Sequence, residues 1–203
     1  MTGSSPRVAV FGSSALLPDD PGWAEAERLG ATLAAAGCTV VTGGYAGVME
    51  AVSAGAASAG GRVVGITAPE VFPDRSSPNA HLTDEVPAPT IPLRIATLLD
   101  GTDAAIALPG SIGTLAELIV SWNVRFVARH GVSPDLVVVA VGTDWGDLVP
   151  ILANRLAIPL ELVELVETIG EAGALVLDRL GLVKPGNPAS DYSPAARMEP
   201  QTQ

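Results

Sequence analysis

Lysine is almost absent from this sequence. Of 203 residues, Lys184 is the single lysine, and it lies in the Pro- and Gly-rich stretch VKPGNPASDYSP near the end of the chain. A pyridoxal phosphate enzyme needs a lysine in its site to form the Schiff base. A P-loop needs Gly-Lys-Ser/Thr at the start of a helix. Neither kind of site can be built in the apolar part of this chain.

Cysteine, aromatic residues and positive charge are also scarce. Cys38 is the single cysteine, so no intrachain disulfide can form, and the Thr39-Val40-Val41 that follows it indicates a buried thiol. Aromatic residues make up only 4% of the chain, so Ala, Val, Leu and Gly must do most of the packing, which favours closely packed helices on a sheet. The formal net charge of −11 argues against a nucleic-acid-binding surface. A small phosphate remains possible, because backbone N–H groups and helix dipoles can hold it.

Long apolar runs are missing as well. No run is long enough to cross a membrane, and the chain leads directly into RVAVFGSS without a separate apolar leader. We therefore expect a cytoplasmic protein without a membrane partner.

Short apolar runs alternate with segments of helical periodicity. Strands are expected in RVAVFG, CTVVTGG, GRVVGIT, DAAIALPG, DLVVVAVG and LELVELV. The helices between them include segments at about residues 46–59, 114–127 and 147–155. This alternation predicts an α/β fold, with a Rossmann-like, doubly wound, mostly parallel sheet and helices on both faces. We expect residues 1–182 to form a single domain, residues 68–89 to be a long loop, and residues 183–203 to be a disordered tail.

Small and hydroxyl residues follow three of the predicted strands. These are Gly12-Ser13-Ser14, Thr42-Gly43-Gly44 with Gly47, and Gly110-Ser111-Ile112-Gly113-Thr114. In parallel α/β sheets ligands bind at the carboxyl ends of the strands, and glycine turns that lead into helix N-termini suit a phosphate. One such turn is most simply an ordinary connection between strand and helix. Three of them at one edge of the sheet predict a phosphate or nucleotide site.

The pattern is not that of a dinucleotide-binding enzyme. The first strand is followed by FGSSALLP rather than G-x-G-x-x-G, and Thr42 ends the second strand where an acidic residue would bind a ribose. A nicotinamide or flavin dehydrogenase is therefore disfavoured. No metal site is indicated, because His81 and His130 are isolated and lack a second ligand at metal spacing.

Two charged residues lie in apolar helices close to these turns. Glu117 follows the turn after the fourth strand, three residues from Thr114 and on a similar helix face. It is either an acid favoured by the helix dipole or a carboxylate that faces the ligand. Arg94 lies inside the apolar segment IPLRIATLLDG, and buried arginines are uncommon unless paired. A phosphate, a carboxylate or Glu117 itself would be a suitable partner for it.

Several segments of the chain resemble the LOG family of cytokinin-activating nucleoside 5′-monophosphate phosphoribohydrolases. LPGSIGTLAEL is similar to the family signature P-G-G-x-G-T-x-x-E. Residues 10–67 resemble the N-terminal half of the family, including its G-G-G-x-x-G-x-M segment, and LRIATLLDGTDAAIALPG resembles the helix and strand before the signature. The resemblance covers about residues 7–180. The chain departs from the family at Tyr45 and Ser111, where the motifs have glycine, and in the loop at residues 68–89. The helix that carries the arginine also lacks the family's M-x-x-R-K pattern, because Leu93-Arg94-Ile95 stands there.

The resemblance implies a reaction and a set of site residues. The reaction is hydrolysis of the N-glycosidic bond of a nucleoside 5′-monophosphate to a free base and ribose 5-phosphate, with no cofactor and no metal. The implied catalytic pair is Arg94 and Glu117. The implied phosphate- and nucleotide-binding residues are Gly12, Ser13, Ser14, Gly43, Gly44, Gly47, Met49, Gly110, Ser111, Gly113 and Thr114.

The resemblance also implies a homodimer with a small-molecule substrate and no nucleic-acid partner. It leaves one alternative function open. Related proteins of the wider superfamily, such as the molybdenum cofactor carrier proteins, only bind their ligands. The retained Arg94 and Glu117 favour an enzyme, whereas the departures at Tyr45 and Ser111 favour a non-catalytic nucleotide- or cofactor-binding protein.

Overall fold

The structure, a computed structural model, describes residues 5–73, 77–129, 131 and 136–183. In these ranges seven strands form one sheet in the order β4-β3-β2-β1-β5-β6-β7, and neighbouring strands are parallel. The strands are β1 (Arg7–Phe11), β2 (Thr39–Thr42), β3 (Val63–Thr67), β4 (Asp84–Pro87), β5 (Ala104–Ala107), β6 (Val137–Val141) and β7 (Glu164–Val166). The helices are α1 (Pro21–Ala35), α2 (Val48–Ser58), α3 (Ile91–Leu99), α4 (Ile112–Ala128), α5 (Thr143–Leu156) and α6 (Ile169–Arg179). The predicted Rossmann-like α/β fold is confirmed.

Helices cover both faces of the sheet. On one face α1, α2 and α6 pack around a core that includes Leu33, Val52 and Val176. On the other face α3, α4 and α5 pack around Leu98 and Trp122. The central strands are therefore buried on both sides, which is why they are uninterrupted apolar runs rather than alternating ones.

Glycine brings α1 and α2 into direct backbone contact. A Cβ atom at Gly30 in α1 would overlap the carbonyl oxygen of Val52, and one at Gly55 in α2 would overlap the carbonyl oxygen of Glu27. The two helix backbones thus approach more closely than any side chain would allow. This close helix packing fits a chain in which small residues replace aromatic ones in the core.

The three glycine-containing turns follow β2, β1 and β5, which are neighbours in the sheet. The turns are linked by hydrogen bonds, because Ser13 N–H donates to the Pro109 carbonyl (3.1 Å) and Val48 N–H donates to the Ser13 carbonyl (2.9 Å). The strand order reverses between β1 and β5, and this is the point at which open α/β sheets form their ligand crevice. The predicted convergence of the turns at one edge is therefore present.

Residues 68–89 were expected to lack regular structure, and this is wrong for their last part. Asp84–Pro87 forms β4, an edge strand that pairs in parallel with β3. Asp84, Glu85 and Pro87 remain partly or fully exposed, so the segment lacks the apolar run that marks the central strands. An edge strand has only one neighbour, and charged residues or proline are tolerated there.

Three other boundaries differ from the sequence expectation. Helix α4 begins at Ile112 rather than Thr114, and α5 begins at Thr143 rather than near Asp147. In LELVELV, only Glu164–Val166 is a strand, because Leu160–Leu162 forms a short 3₁₀ helix. The predicted tail falls outside the described residues from position 184 onward. Among the helices of the described ranges, none combines the length and apolar character of a membrane span.

Candidate active site

A cleft with a cavity of about 110 Å³ opens at the carboxyl ends of the central strands. The predicted site residues in its wall are Arg94, Glu117, Gly12, Ser14, Gly43, Met49, Ser111, Gly113 and Thr114. The other predicted residues, Ser13, Gly44, Gly47 and Gly110, belong to the same turns but lie outside this wall. Phe72, Ile91 and Ile95 also line the cavity and were not predicted from the sequence.

Arg94 is buried in the wall of the cleft, with 7% of its surface exposed. Its Nε donates to the carbonyl of Ile66 (2.7 Å), and its Nη2 donates to the carbonyl of Gly43 (3.0 Å). Its Nη1 lies 3.3 Å from Oε1 of Glu117. Two backbone carbonyls at the ends of β3 and β2 therefore orient the guanidinium, and a carboxylate balances its charge. This arrangement satisfies a cation that would otherwise be costly to bury.

The start of α3 places Arg94 in this position. The Thr90 side chain caps the helix by accepting a hydrogen bond from the Leu93 N–H (3.3 Å), and Pro92 lies in the first turn, where it needs no hydrogen-bond partner for a backbone N–H. Ile95 and Leu98 are buried against the sheet. Arg94 therefore points to the carboxyl ends of the strands, although its segment of sequence is apolar.

Glu117 lies on α4 in the second helical turn and is 9% exposed. Because the effect of the helix dipole is concentrated in the first turn, its position does not fit a simple dipole-stabilised acid. Leu118 and Trp122 anchor the neighbouring helix face in the core. The Glu117 carboxylate faces Arg94 in the wall of the cleft.

The N-terminus of α4 is open toward the cleft. Ser111 is the N-cap residue, and its side chain makes no capping hydrogen bond to any described residue. Residues 109–113 are exposed, and no described atom outside the immediate chain lies within 4 Å of a Cβ built at Gly113. The first N–H groups of a helix lack partners within the helix, and together with the helix dipole they bind anions. Serine at the second signature position adds a hydroxyl group here without closing the site.

The predicted glycines outside the cavity wall shape the turns. Gly44 and Gly47 have φ angles of 77° and 75°, which non-glycine residues rarely adopt. A Cβ at Gly47 would also overlap the carbonyl oxygen of Ser13, and one at Gly110 would overlap Oγ1 of Thr114. These positions hold the turns against one another, so that neighbouring residues reach the cleft.

Other reactive groups lie away from the cleft. Burial raises the pKa of the Cys38 thiol to about 11, with a smaller contribution from the negative charge of Asp103. The thiol is therefore neutral at physiological pH and is not a candidate nucleophile. Within the described ranges, His, Cys, Asp and Glu side chains form no group of three or more that could hold a metal ion.

Comparison with known proteins identifies the family of the chain. Residues 5–127 match the SLOG cluster4 family. The chain is 34% identical over 141 residues to a cytokinin riboside 5′-monophosphate phosphoribohydrolase of Mycobacterium marinum. The aligned region covers 68% of this chain and 71% of the relative. It is 33% identical over 106 residues to a protein of the same name from Mycobacterium tuberculosis, and this alignment covers 52% of this chain and 56% of that relative.

The fold is shared with a solved structure whose name differs from that of the mycobacterial relatives. The molybdenum cofactor binding protein from the phototrophic bacterium Rippkaea orientalis superposes with a TM-score of 0.66, over 89% of this chain and 99% of that one. The two sequences are 21% identical, so this likeness concerns the fold alone. The family match and the mycobacterial relatives confirm the LOG-type family that the sequence motifs predicted. The chain belongs to the SLOG cluster4 family of LOG-type proteins.

Proposed function

We propose that the protein hydrolyses the N-glycosidic bond of a nucleoside 5′-monophosphate and releases a free base and ribose 5-phosphate. The observation that carries this proposal is the buried Arg94–Glu117 pair in the wall of a cleft that also contains the open N-terminus of α4. The names of the two mycobacterial relatives describe the same reaction class. Such a reaction needs an anion site next to a carboxylate, and the N-terminus of α4 and Glu117 would take these two roles.

The phosphate end of the proposed site is the turn from Ser111 to Thr114. The backbone N–H groups at the start of α4 would bind the 5′-phosphate, and the hydroxyl groups of Ser111 and Ser14 line the same cavity. Binding at this remote group would fix the ribose relative to Glu117. The proposal therefore predicts that nucleosides without a phosphate are poor substrates.

The chemistry would occur at the ribose C1′ atom. As the bond to the base breaks, its electron pair leaves with the base and positive charge develops on the ribose ring. The Glu117 carboxylate would stabilise this charge or orient the attacking water. The water hydroxyl becomes the new C1′ substituent, and its proton ends on the departing base. Arg94 would hold the carboxylate in place and assist the departing base.

Product analysis with a panel of nucleoside monophosphates tests this proposal. Chromatography should show base and ribose 5-phosphate in equal amounts, and Glu117→Gln and Arg94→Met should lower the rate by about 10²- to 10⁴-fold. Matched controls are Glu25→Gln and Arg28→Met, because both residues are exposed on α1, away from the cleft. The proposal is overturned if folded wild-type protein releases base from none of the monophosphates.

The alternative is a protein that binds a nucleotide or cofactor without turnover. The departures from the family motifs at Tyr45 and Ser111 favour it. The burial of Tyr45 next to Arg94 also favours it. Calorimetric titration that detects tight nucleotide binding, together with no base release, would support this alternative.

We also propose that the protein is a homodimer. Exposed apolar side chains recur at helical spacing along α4, and Leu93 on the neighbouring helix α3 is 52% exposed. The exposed residues on α4 are Ile112, Ile119, Val120 and Val127. Light scattering should give the mass of two chains, and Val120→Glu should give one. Ile151→Glu on α5 is the matched control, and a monomeric wild type would refute the dimer.

A cytoplasmic location without nucleic-acid or membrane partners completes the proposal. The net charge of −11 would repel nucleic acid and acidic lipid surfaces. A lone buried cysteine is also usual for a reducing compartment. Cell fractionation with detection of the native chain tests the location, and recovery with membranes would contradict it.

A further inference from the structure

Tyr45 occupies the position where the related motif has glycine, and it is almost completely buried. Its Oη accepts a hydrogen bond from the Ala68 N–H (2.9 Å), and its backbone carbonyl accepts one from Nδ2 of Asn79 (3.1 Å). Its ring meets the Phe72 ring edge to face, with 6.2 Å between centroids and 85° between planes. Its ring centroid also lies 6.0 Å from Cζ of Arg94. Tyr45 thus connects the segment after β3 to the guanidinium of the proposed reaction centre.

Phe72 forms part of an apolar end of the cleft. It is half-buried, it lines the cavity, and Ile91 and Ile95 on one face of α3 line the same cavity. The N–H groups of Val71 and Phe72 both donate to the Ala68 carbonyl, at 3.1 and 3.0 Å, which fixes the turn that carries the ring. An apolar wall with an aromatic ring suits a planar heterocyclic base and does not suit a phosphate.

The apolar end and the phosphate end of the cleft belong to segments that follow different strands. The Phe72 segment follows β3, and the phosphate-binding turn follows β5, which is three strands away in the order β3-β2-β1-β5. At about 4.8 Å between neighbouring strands, the carboxyl ends of β3 and β5 are separated by roughly 14 Å. Arg94 contacts carbonyls at the ends of β3 and β2 and lines the same cavity as Phe72 and the start of α4. A nucleotide with its phosphate at α4 would therefore direct its base toward Phe72.

We propose that Phe72 contacts the base of the substrate and that Tyr45 is the residue that positions Phe72. This inference rests on the proposed nucleotide site. The Tyr45 ring fills volume that glycine would leave open beside Phe72, so Phe72 cannot withdraw in the direction of Tyr45. The preferred substrates are therefore nucleoside 5′-monophosphates with an unsubstituted planar base. A base that carries a bulky alkyl group on its exocyclic amine would have to displace the Phe72 ring.

Binding and kinetic measurements on Phe72 variants test the base contact. Loss of base–aromatic stacking in Phe72→Ala should weaken AMP binding and raise KM by about 10- to 100-fold. The affinity for ribose 5-phosphate, which has the phosphate and sugar but no base, should stay within about twofold. A purely structural role of Phe72 would weaken both ligands equally, and equal weakening or no weakening would overturn the inference. Phe72→Leu gives a second, less disruptive test of the same difference.

Tyr45 variants test the positioning role with two substrates, AMP and N6-isopentenyladenosine 5′-monophosphate. Wild-type protein should have a kcat/KM at least about tenfold higher for AMP. Tyr45→Ala should reduce this preference, mainly through KM, because Phe72 gains room to move. Tyr45→Phe keeps the ring and should retain the preference. Wild-type preference for the alkylated nucleotide, or an unchanged preference in Tyr45→Ala, would overturn the inference.

The two proposals fail in distinguishable ways. If wild-type protein binds AMP but releases base from none of the monophosphates, the hydrolase proposal fails, and titration of Phe72→Ala with AMP and ribose 5-phosphate still tests the base contact. If adenine is released but Phe72→Ala binds both ligands like wild type, the base contact fails and the hydrolase proposal stands. If none of the monophosphates binds, both proposals fail.

Discussion

Replacement of Gly43 by alanine would disturb the proposed reaction centre through a single methyl group. A Cβ at this position would overlap Nη2 of Arg94, and it would lie 2.5 Å from Sδ of Met49 and 3.1 Å from Cζ of Arg94. The backbone at Gly43 is not left-handed, so alanine fits the local conformation and the whole effect is steric. Arg94 cannot keep its present position, because the new methyl group would occupy the place of Nη2. Movement of Nη2 would break its hydrogen bond to the carbonyl of Gly43.

The magnitude follows from the contacts that Arg94 would lose. A hydrogen bond from a charged group contributes about 1.5–3 kcal/mol to stability, and the lower flexibility of unfolded alanine offsets about 0.4–1 kcal/mol. The net loss of about 0.5–2.6 kcal/mol should lower Tm by about 1–10 °C for a chain of this size. A shift of about 1 Å at a catalytic group costs about 10²-fold in rate, so base release should fall by this factor.

Thermal unfolding by circular dichroism and base-release kinetics measure the two effects on the same Gly43→Ala sample. Gly170→Ala is the matched control, because Gly170 is exposed on α6 and no described atom lies within 4 Å of the added Cβ. The control should keep wild-type activity and should be at least as stable as wild type, with a gain of up to about 1 kcal/mol from the less flexible unfolded chain. A Gly43→Ala protein with unchanged Tm and unchanged rate would refute the close fit of Arg94 against this glycine.

Three further predictions concern stability. Gly30→Ala should destabilise the fold by about 1–3 kcal/mol in urea, because its methyl group meets the Val52 carbonyl; an unchanged midpoint would contradict the helix contact. Thr168→Ala removes the capping box with Glu171 and should cost about 1 kcal/mol without loss of base release. Because the folded pKa of Cys38 is raised from 9.0 to about 11, its stabilising contribution is complete below pH 9 and is lost between pH 9 and 11, by at most about 3 kcal/mol. Flat stability across that pH range, or rapid alkylation of the native thiol at pH 8, would contradict its burial.

The central strands were predictable because their sequence signals are local. The runs RVAVF, TVVT and VVGIT are mostly apolar without alternation and are followed by glycine or a break in periodicity, as is typical of strands buried on both faces. Strand β4 was missed because an edge strand has little burial and carries Asp84, Glu85 and Pro87. Its strand conformation depends on pairing with β3, and a distant partner leaves no mark in the local pattern.

The charged side chains of the candidate site could be predicted from the sequence, but the backbone groups that contact them could not. An arginine within an apolar helix and a glutamate behind a glycine-rich turn were visible in the sequence, and the structure brings Arg94 and Glu117 to 3.3 Å. The carbonyls of Ile66 and Gly43 that orient Arg94 carry no side-chain signal, since every residue has a carbonyl. Phe72 was hidden because its segment has no periodicity, although a lone aromatic residue in a predicted loop was an available clue.

The most direct test of the central claim is the rate of adenine release from AMP by wild-type protein and by Glu117→Gln, with thermal unfolding of both samples. We expect adenine and ribose 5-phosphate in equal amounts from wild type and a loss of at least about 10²-fold in the folded variant. Equal rates in the two folded proteins would contradict the role of the Arg94–Glu117 pair in this cleft.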